Sequence, residues 1–271
     1  MIPNRRKENY SFALSKGDTR NNALNSLYHW MLITPFHPKR FTESELFIAK
    51  LDDKSFLLKT YVDNDAASRR DIEQTKLAHW RYHQFPVPNT FQIDIPQVKN
   101  PYLLMEYIDG QALSEYLKQP SITDNEKLNL LTQIFRCNAK RHQLALDLSD
   151  LLLIHTDPNT DNILIKDHEF FYIDFEHRAK EKTIVVAIAQ EIATFCRRIC
   201  TDFGREQIDK IIRLMLAEYN NHEIIQKVIA LTTERPFQII HRTKEQRKKQ
   251  KNPAIITRYD IVDTIKKLTG I

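Results

Sequence analysis

The chain has 271 residues, of which 42% are hydrophobic and 28% are charged, a balance that is ordinary for a globular protein of one or two domains. No apolar run is long enough to cross a bilayer, and no apolar signal-peptide core follows the basic N-terminus, so we expect a cytoplasmic chain. The net charge of +5 is modest, and three cysteines without paired spacing argue against a secreted disulfide framework.

The first part of the chain changes from helical to strand-like periodicity. Helical spacing of apolar residues over 22–33 predicts that residues 1–36 form a helical flank. Two apolar runs follow, 45–51 and 55–61, on either side of a polar segment, 52–54. Apolar runs joined by turn residues predict a β-hairpin.

A helix is predicted after the hairpin, with Ser68 or Asp71 as its N-terminal cap and with Glu73, Leu77 and Trp80 at turn intervals. An extended, proline-containing link leads from this helix to an apolar strand.

The strand ends at Gly110, which tolerates unusual backbone conformations, and helical periodicity begins beyond it. We therefore predict a domain boundary here, with a small β-rich lobe over 37–108 and a mainly helical lobe over 109–271.

The second lobe is predicted to contain helices over 112–117, from a cap at Thr123 or Asp124, over 184–195, over 208–219 and over 259–268. A basic block near the C-terminus contains Lys244, Arg247, Lys248, Lys249 and Lys251. Such a block is compatible with contact to an anionic partner and equally with a solvated helix surface.

The residues most indicative of chemistry follow two apolar, β-prone runs at 152–154 and 171–173. His155-Thr156-Asp157 is followed by Asn162, five residues after the aspartate, and the pair Asp174-Phe175 begins twelve residues after Asn162. This order resembles the catalytic loop and metal-binding motif of the protein-kinase-like superfamily. The resemblance implies an α+β, two-lobed fold. The alternative is that these residues only form turns after buried strands.

Phosphoryl transfer requires an acidic residue that orients and deprotonates the acceptor hydroxyl, and oxygen ligands that hold Mg²⁺ against the triphosphate of ATP. By the resemblance, Asp157 is the catalytic carboxylate, and Asn162 and Asp174 are the metal ligands. ATP and Mg²⁺ are the expected cofactors.

The first lobe supplies the expected nucleotide-binding residues. Lys59 lies near the end of a predicted strand, where kinases place the lysine that contacts the α- and β-phosphates, and Glu73 is its expected ion-pair partner. The apolar strand ending Met105-Glu106-Tyr107-Ile108 looks like the kinase hinge. By that likeness Met105 is the gatekeeper, and the backbone groups of Glu106 and Ile108 contact adenine.

Three features depart from the usual kinase pattern. The chain has four glycines and no glycine-rich loop, so that the phosphates must be covered otherwise, for example by the backbone around 42–44. Thr156 replaces the arginine that couples a phosphorylated activation loop to the site. Asp-Phe-Glu, ending at Glu176, replaces Asp-Phe-Gly, and no Ala-Pro-Glu follows, so the platform for a peptide substrate is missing.

The run His-Thr-Asp-x-Asn-x-x-Asn-Ile-Leu followed by Asp-Phe looks most like the lipopolysaccharide kinases. That likeness implies that ATP phosphorylates a Kdo or heptose sugar of a lipid-linked acceptor, with peripheral contact to the inner membrane. Arg178 and Lys180 would then bind the anionic acceptor. Nucleic acid is a less expected partner.

Other hypotheses remain open. One is an atypical protein kinase similar to the RIO kinases or to the small kinase of the tRNA threonylcarbamoyl complex, in which the basic tail would contact RNA or a partner. A small-molecule phosphotransferase similar to aminoglycoside or choline kinases is disfavoured because little room remains for their helical insertion. A pseudokinase binding module is disfavoured because all five catalytic-type residues are present.

Overall fold

The computed structural model describes residues 31–36, 44–180, 183–234, 238–252 and 254–270. The fold is α+β and two-lobed: an antiparallel sheet with one helix comes first, and a mainly helical region follows, as predicted. Among the described residues, no helix combines the length and apolar character needed to cross a membrane.

The first lobe is built on a five-stranded antiparallel sheet with the order β1-β2-β3-β5-β4. Its strands are β1 (Leu32–Pro35), β2 (Ser44–Leu51), β3 (Lys54–Tyr61), β4 (Thr90–Phe91) and β5 (Tyr102–Glu106). The predicted hairpin is β2–β3, and its turn places Asp52 at a positive φ of 52°.

The prediction of a helical flank over 1–36 is wrong at its end. Leu32–Pro35 pairs antiparallel with β2 and so belongs to the sheet, because a free sheet edge offers backbone partners that helical periodicity alone does not reveal. The rest of the predicted helix, 22–30, and part of the proposed phosphate cover, 42–43, lie outside the described residues.

Helix α1 (Ala66–Tyr82) follows β3 and starts earlier than predicted. Its N-cap is Asp65 rather than Ser68 or Asp71. A backbone turn begins the helix, since the Ala66 N–H donates to the Asp63 carbonyl at 3.2 Å and no side-chain cap is used.

The second lobe contains a three-stranded sheet, ordered β6-β7-β8, and a set of helices. Its elements are β6 (Gln111–Ala112), α2 (Leu113–Lys118), α3 (Asp124–Leu148), β7 (Ile163–Lys166), β8 (Glu169–Tyr172), α4 (Ile184–Phe203), α5 (Ile208–Glu218), α6 (His222–Thr233), α7 (Gln238–Lys251) and α8 (Arg258–Thr269). Thr123 caps α3 with a complete capping box, as its sequence predicts.

The run 152–154, expected to be a β-strand, instead follows a different path: Leu151–Leu153 is a 3-10 turn. Asp150 begins the turn by accepting the Leu152 N–H at 2.8 Å, a local side-chain bond that competes with extended structure. The residues predicted to form the catalytic loop therefore follow a turn rather than a strand.

Side chains of β3 point alternately to the two faces of the sheet, and the apolar ones therefore divide between two clusters. Phe56 and Leu58 belong to a small outer cluster, whereas Tyr61 belongs to the main core that continues through the second lobe. Since side chains alternate along a strand, Lys59 lies on the same face of β3 as Tyr61. On β5, Met105 belongs to the main core as well.

The junction between the lobes is closely packed at Gly110. A Cβ atom at this position would lie 2.6 Å from the carbonyl oxygen of Ile165 in β7, so only glycine fits without a shift of the backbone. The Gly110 N–H also donates to the Ile108 carbonyl at 2.9 Å, which makes a tight turn directly after the predicted hinge.

Candidate active site

The structure brings Lys59, Glu73 and Asp174 together across the two lobes. The Lys59 ammonium lies 2.8 Å from Glu73 Oε2 and 2.9 Å from Asp174 Oδ1. The predicted Lys59–Glu73 ion pair is therefore present, and it is joined to the residue predicted as a metal ligand.

Further groups fix Glu73 at the centre of this cluster. Tyr61 donates its hydroxyl to Glu73 Oε2 at 2.6 Å, and the Phe175 N–H donates to Oε1 at 3.3 Å. Burial lowers the pKa of the Lys59 ammonium, but three neighbouring carboxylates outweigh burial and raise that pKa above its ordinary value. Lys59 is therefore a permanent cation near neutral pH.

Asp174 is held in an unusual backbone conformation, with φ at 69°. A non-glycine residue in the left-handed region is uncommon, and such residues concentrate at functional sites. Burial raises the pKa of the Asp174 carboxyl, but Lys59 outweighs burial and holds that pKa below its usual value. The carboxylate is thus ionised and half-buried.

Asp157 and Asn162 form a second pair at the same end of the second lobe. Asn162 Nδ2 donates both to the Asp157 backbone carbonyl and to Asp157 Oδ2, each at 3.0 Å. The Asn162 carbonyl in turn accepts the Ile173 N–H at 3.0 Å, which ties the pair to the residue preceding Asp174.

The donor set suits a divalent cation. Because Asn162 Nδ2 is used by Asp157, the amide oxygen remains as the ligand atom, and the Asp174 carboxylate supplies a charged oxygen. Hard oxygen ligands of this kind are those that Mg²⁺ prefers, and Mg²⁺ would neutralise phosphate charge here. Ligand oxygens of Glu73, Asp174 and Glu176 also lie within 4.8 Å of one another, and the Lys59 ammonium contacts all three carboxylates.

The predicted hinge lies beside this cluster. Met105 is 4% exposed and pairs with Leu57 of β3, and β5 ends at Glu106. The Glu106 N–H donates to the Asn89 carbonyl at 2.7 Å, so this N–H is not available to a ligand. Contact of adenine with the backbone groups of Glu106 and Ile108 stays a prediction.

Arg178 and Lys180, predicted to bind the acceptor, are both exposed. Arg178 lines an open groove of about 470 Å³ between the start of α1 and the segment after Asp174. The other lining residues are Asp63, Asp65, Ser68, Arg69, Ile72, Glu176 and His177. The groove carries both signs of charge, and binding of an acceptor by Arg178 and Lys180 stays a prediction.

Sequence reasoning missed several residues that hold the site. Glu176 Oε2 lies 2.6 Å from Arg69 and 3.3 Å from Lys59. Lys76 Nζ donates to the carbonyls of Ile154 at 2.9 Å and of His177 at 3.0 Å. The one available signal was the helical spacing of Arg69 and Lys76 around Glu73.

A second buried network contacts the segment predicted to be the catalytic loop. Arg141 forms an ion pair with Glu191, and Glu191 Oε2 accepts the backbone N–H of His155 at 3.0 Å. Burial raises the pKa of the Glu191 carboxyl, but Arg141 outweighs it and brings that pKa well below its usual value. Burial lowers the pKa of His142, which is therefore a neutral neighbour of Glu191 at pH 7.

No family model matches the chain. Among curated proteins, the chain is similar to the KEOPS complex subunit Bud32 of Pyrococcus abyssi (strain GE5 / Orsay), with 29% identity over 116 residues. The match covers 42% of this chain and 47% of that protein, so the chain spans about half the length of this curated relative. Together with the two-lobed fold, the match supports the resemblance to the atypical protein-kinase-like superfamily. It gives no support to the lipopolysaccharide kinase family or to contact with a membrane.

Proposed function

We propose that the protein is an ATP- and Mg²⁺-dependent phosphotransferase of the atypical protein-kinase type. The observation that carries the proposal is the contact of one ammonium, Lys59 Nζ, with both Glu73 and Asp174 at hydrogen-bond distance. In protein kinases, a lysine paired with a helix carboxylate beside a metal-binding aspartate is part of the machinery for phosphoryl transfer from ATP.

Each residue has a distinct part in the reaction. Lys59 binds the α- and β-phosphates, and Asp174 and Asn162 would hold Mg²⁺, which would neutralise charge on the phosphates. Asp157 accepts the proton of the acceptor hydroxyl as the hydroxyl oxygen forms a bond to the γ-phosphorus. The bond between that phosphorus and the bridging oxygen breaks, and ADP leaves with the electron pair.

The orientation of Asp157 follows from its contacts. Asn162 Nδ2 is bonded to Asp157 Oδ2, so the other carboxylate oxygen is free of that amide and can face the acceptor. A general base must lie within hydrogen-bond reach of the proton that it removes, and holding it in one rotamer reduces the entropy cost of reaching the transition state.

The acceptor is proposed to be a hydroxyl on a folded protein, either this chain or a partner with which it assembles. Helix α4 begins at Ile184, close after Asp174, so little chain is left to form the platform on which an extended peptide would lie. The relative is named as a subunit of a complex, and a protein partner of this chain would present the acceptor already folded.

The test is to incubate the purified protein with γ-labelled ATP and Mg²⁺, alone or with Kdo₂-lipid A. We expect label in protein and no label with the Asp157→Ala variant. Label in the lipid fraction would instead establish a sugar kinase. Absence of Mg·ATP binding by calorimetry would show that the phosphotransferase proposal is wrong and that the fold serves as a binding module.

A further inference from the structure

One face of α1 carries buried side chains that make hydrogen bonds. Its side chains recur at helical intervals and are at most 6% exposed: Arg69, Glu73, Lys76 and Trp80. Each makes a hydrogen bond to the segment before Asp157 or to the segment after Asp174. Trp80 Nε1, for example, donates to the Leu152 carbonyl at 2.9 Å.

Lys76 joins both segments through backbone carbonyls. Its ammonium donates to Ile154, three residues before Asp157, and to His177, three residues after Asp174. The His177 carbonyl also accepts the Thr156 hydroxyl at 3.1 Å. Thr156 occupies the place of the arginine that couples kinases to a phosphorylated loop, so the same two segments are here linked through Lys76 and a carbonyl.

Arg69 makes the matching contact one turn before Glu73. Its guanidinium lies 2.6 Å from Glu176 Oε2 and also pairs with Asp63 in the loop after β3. Glu176 is 8% exposed, and it stands where the usual motif has glycine, which could make no such ion pair. The departure from the kinase pattern therefore has a structural role.

The chain has no room for a regulatory loop between these contacts and the next helix. Only eight residues, 176–183, separate Phe175 from α4. Phosphorylation switches act by adding a charge that pairs with arginine and orders a flexible segment. Here Glu176 and His177, the first two residues of that segment, are already held by buried groups on α1.

We propose that Lys76 and Arg69 are positioning residues that hold the active site assembled without a phosphorylated loop. This inference rests on the proposed function. Lys76 fixes the backbone that carries Asp157 and Asp174, and Arg69 fixes Glu176, so that Glu73 is held against Lys59. Displacement of α1 would separate buried donors from buried carbonyls, which is costly, so the docked arrangement is strongly favoured.

The test compares Lys76→Met with Lys127→Met in the full chain. Both variants remove the charge of a buried lysine, but Lys127 lies in α3, over the ring of Phe203. Hydrogen exchange at the Phe175 amide reports on α1 docking without any nucleotide, because that N–H donates to Glu73. We expect exchange to be about tenfold faster in Lys76→Met and unchanged in Lys127→Met.

The kinetic readout separates positioning from folding. Lys76→Met should lower kcat by about tenfold or more while the KM for ATP changes by less than about threefold, since a small displacement of the catalytic groups affects the transition state most. Phosphate-free wild-type protein, prepared with phosphatase and checked by mass, should keep full kcat. Dependence of kcat on phosphorylation would overturn the proposal.

The remaining outcomes are also decisive. Unchanged exchange at Phe175 in Lys76→Met would overturn the positioning role. If the wild type turned over no ATP, the proposed function would fail, while the exchange result would still decide whether Lys76 docks α1. Should Lys76→Met not fold, Glu176→Gln keeps the size of the side chain and removes the ion pair with Arg69, and the same exchange increase is expected.

Discussion

Two ionic clusters lie near the segment predicted to be the catalytic loop, and they differ in whether their charges balance. The lower cluster pairs Arg141 with Glu191 beside a neutral His142. The upper cluster contains two cations, Lys59 and Arg69, and four carboxylates: Asp63, Glu73, Asp174 and Glu176.

The lower cluster is complete as it stands, whereas the upper one has two carboxylates in excess. A balanced buried pair serves the fold, and removing one partner leaves an uncompensated charge. An unbalanced cluster that borders a cleft gains from a bound cation, so charge balance separates the supporting network from the site.

The largest effect should come from the residue that belongs to neither cluster. Asp157→Ala should lower kcat by about 10³-fold, because it removes the general base, while the affinity for Mg·ATP stays nearly unchanged. Label transfer and calorimetry on the same preparation measure both quantities. The matched control is Asp147→Ala, an exposed carboxylate on α3 that should leave turnover unchanged. Equal turnover by Asp157→Ala and wild type would remove Asp157 from the mechanism.

Substitutions in the lower cluster should reduce the stability of the fold most. Glu191→Gln leaves the Arg141 guanidinium buried without a counter-charge, and we expect it to cost about 3 kcal/mol of unfolding free energy. Urea unfolding at pH 7 measures the loss. A cost below about 1 kcal/mol would show that the pair contributes little to the fold.

The same pair predicts a pH dependence. The pKa of Glu191 is lowered in the folded state, so its contribution is fully present above the unfolded pKa of about 4.3 and is lost as pH falls toward the folded pKa. The difference in stability between wild type and Glu191→Gln should therefore narrow below about pH 4. A difference that widened on acidification would contradict this assignment.

Substitutions in the upper cluster should weaken ligand binding most. Asp174→Asn removes a negative oxygen that suits Mg²⁺, and we expect about a 100-fold weaker affinity for Mg·ATP, with little change for ATP without the metal. Calorimetry with and without Mg²⁺ distinguishes the two. An equal loss in both conditions would indicate that Asp174 orients Lys59 and does not bind the metal.

The smallest effect should come from Tyr61, which only supports Glu73. Tyr61→Phe removes one of three donors to that carboxylate and should cost about 1 kcal/mol of stability. Thermal unfolding measures this change. A cost as large as that of Glu191→Gln would mean that the hydroxyl, and not Lys59, is the main support of Glu73.

Local order along the chain was enough to predict Lys59, Glu73, Asp157, Asn162 and Asp174 as candidate site residues, because a motif with fixed spacing stands out against its neighbours. The hairpin and the capped helix α3 were predicted for the same reason, since their signals are short-range. The roles of these residues remain predictions.

What could not be predicted depends on distant partners. Glu191 lies 36 residues from His155, and Lys76 lies 101 residues from His177, so no local pattern connects them. The strand β1 was expected to be helical from its local periodicity, which does not reveal its non-local pairing with β2. The turn at Leu151–Leu153 was expected to be a strand because three leucines suit either conformation.

The contact of Gly110 with β7 has a consequence for the length of the ligand. The contact is made by backbone at both ends, and Ile165 stands three residues after Asn162 on the same stretch of chain. Three residues of extended chain span about 10 Å, so the contact holds the turn after the predicted hinge about that far from Asn162, the predicted metal ligand. If the predicted hinge binds the base and Asn162 binds the metal, the site selects nucleotides by the distance between the base and the metal-bound phosphates. A larger residue at position 110 would then change the length of ligand that fits, while the groups that contact the ligand stay the same.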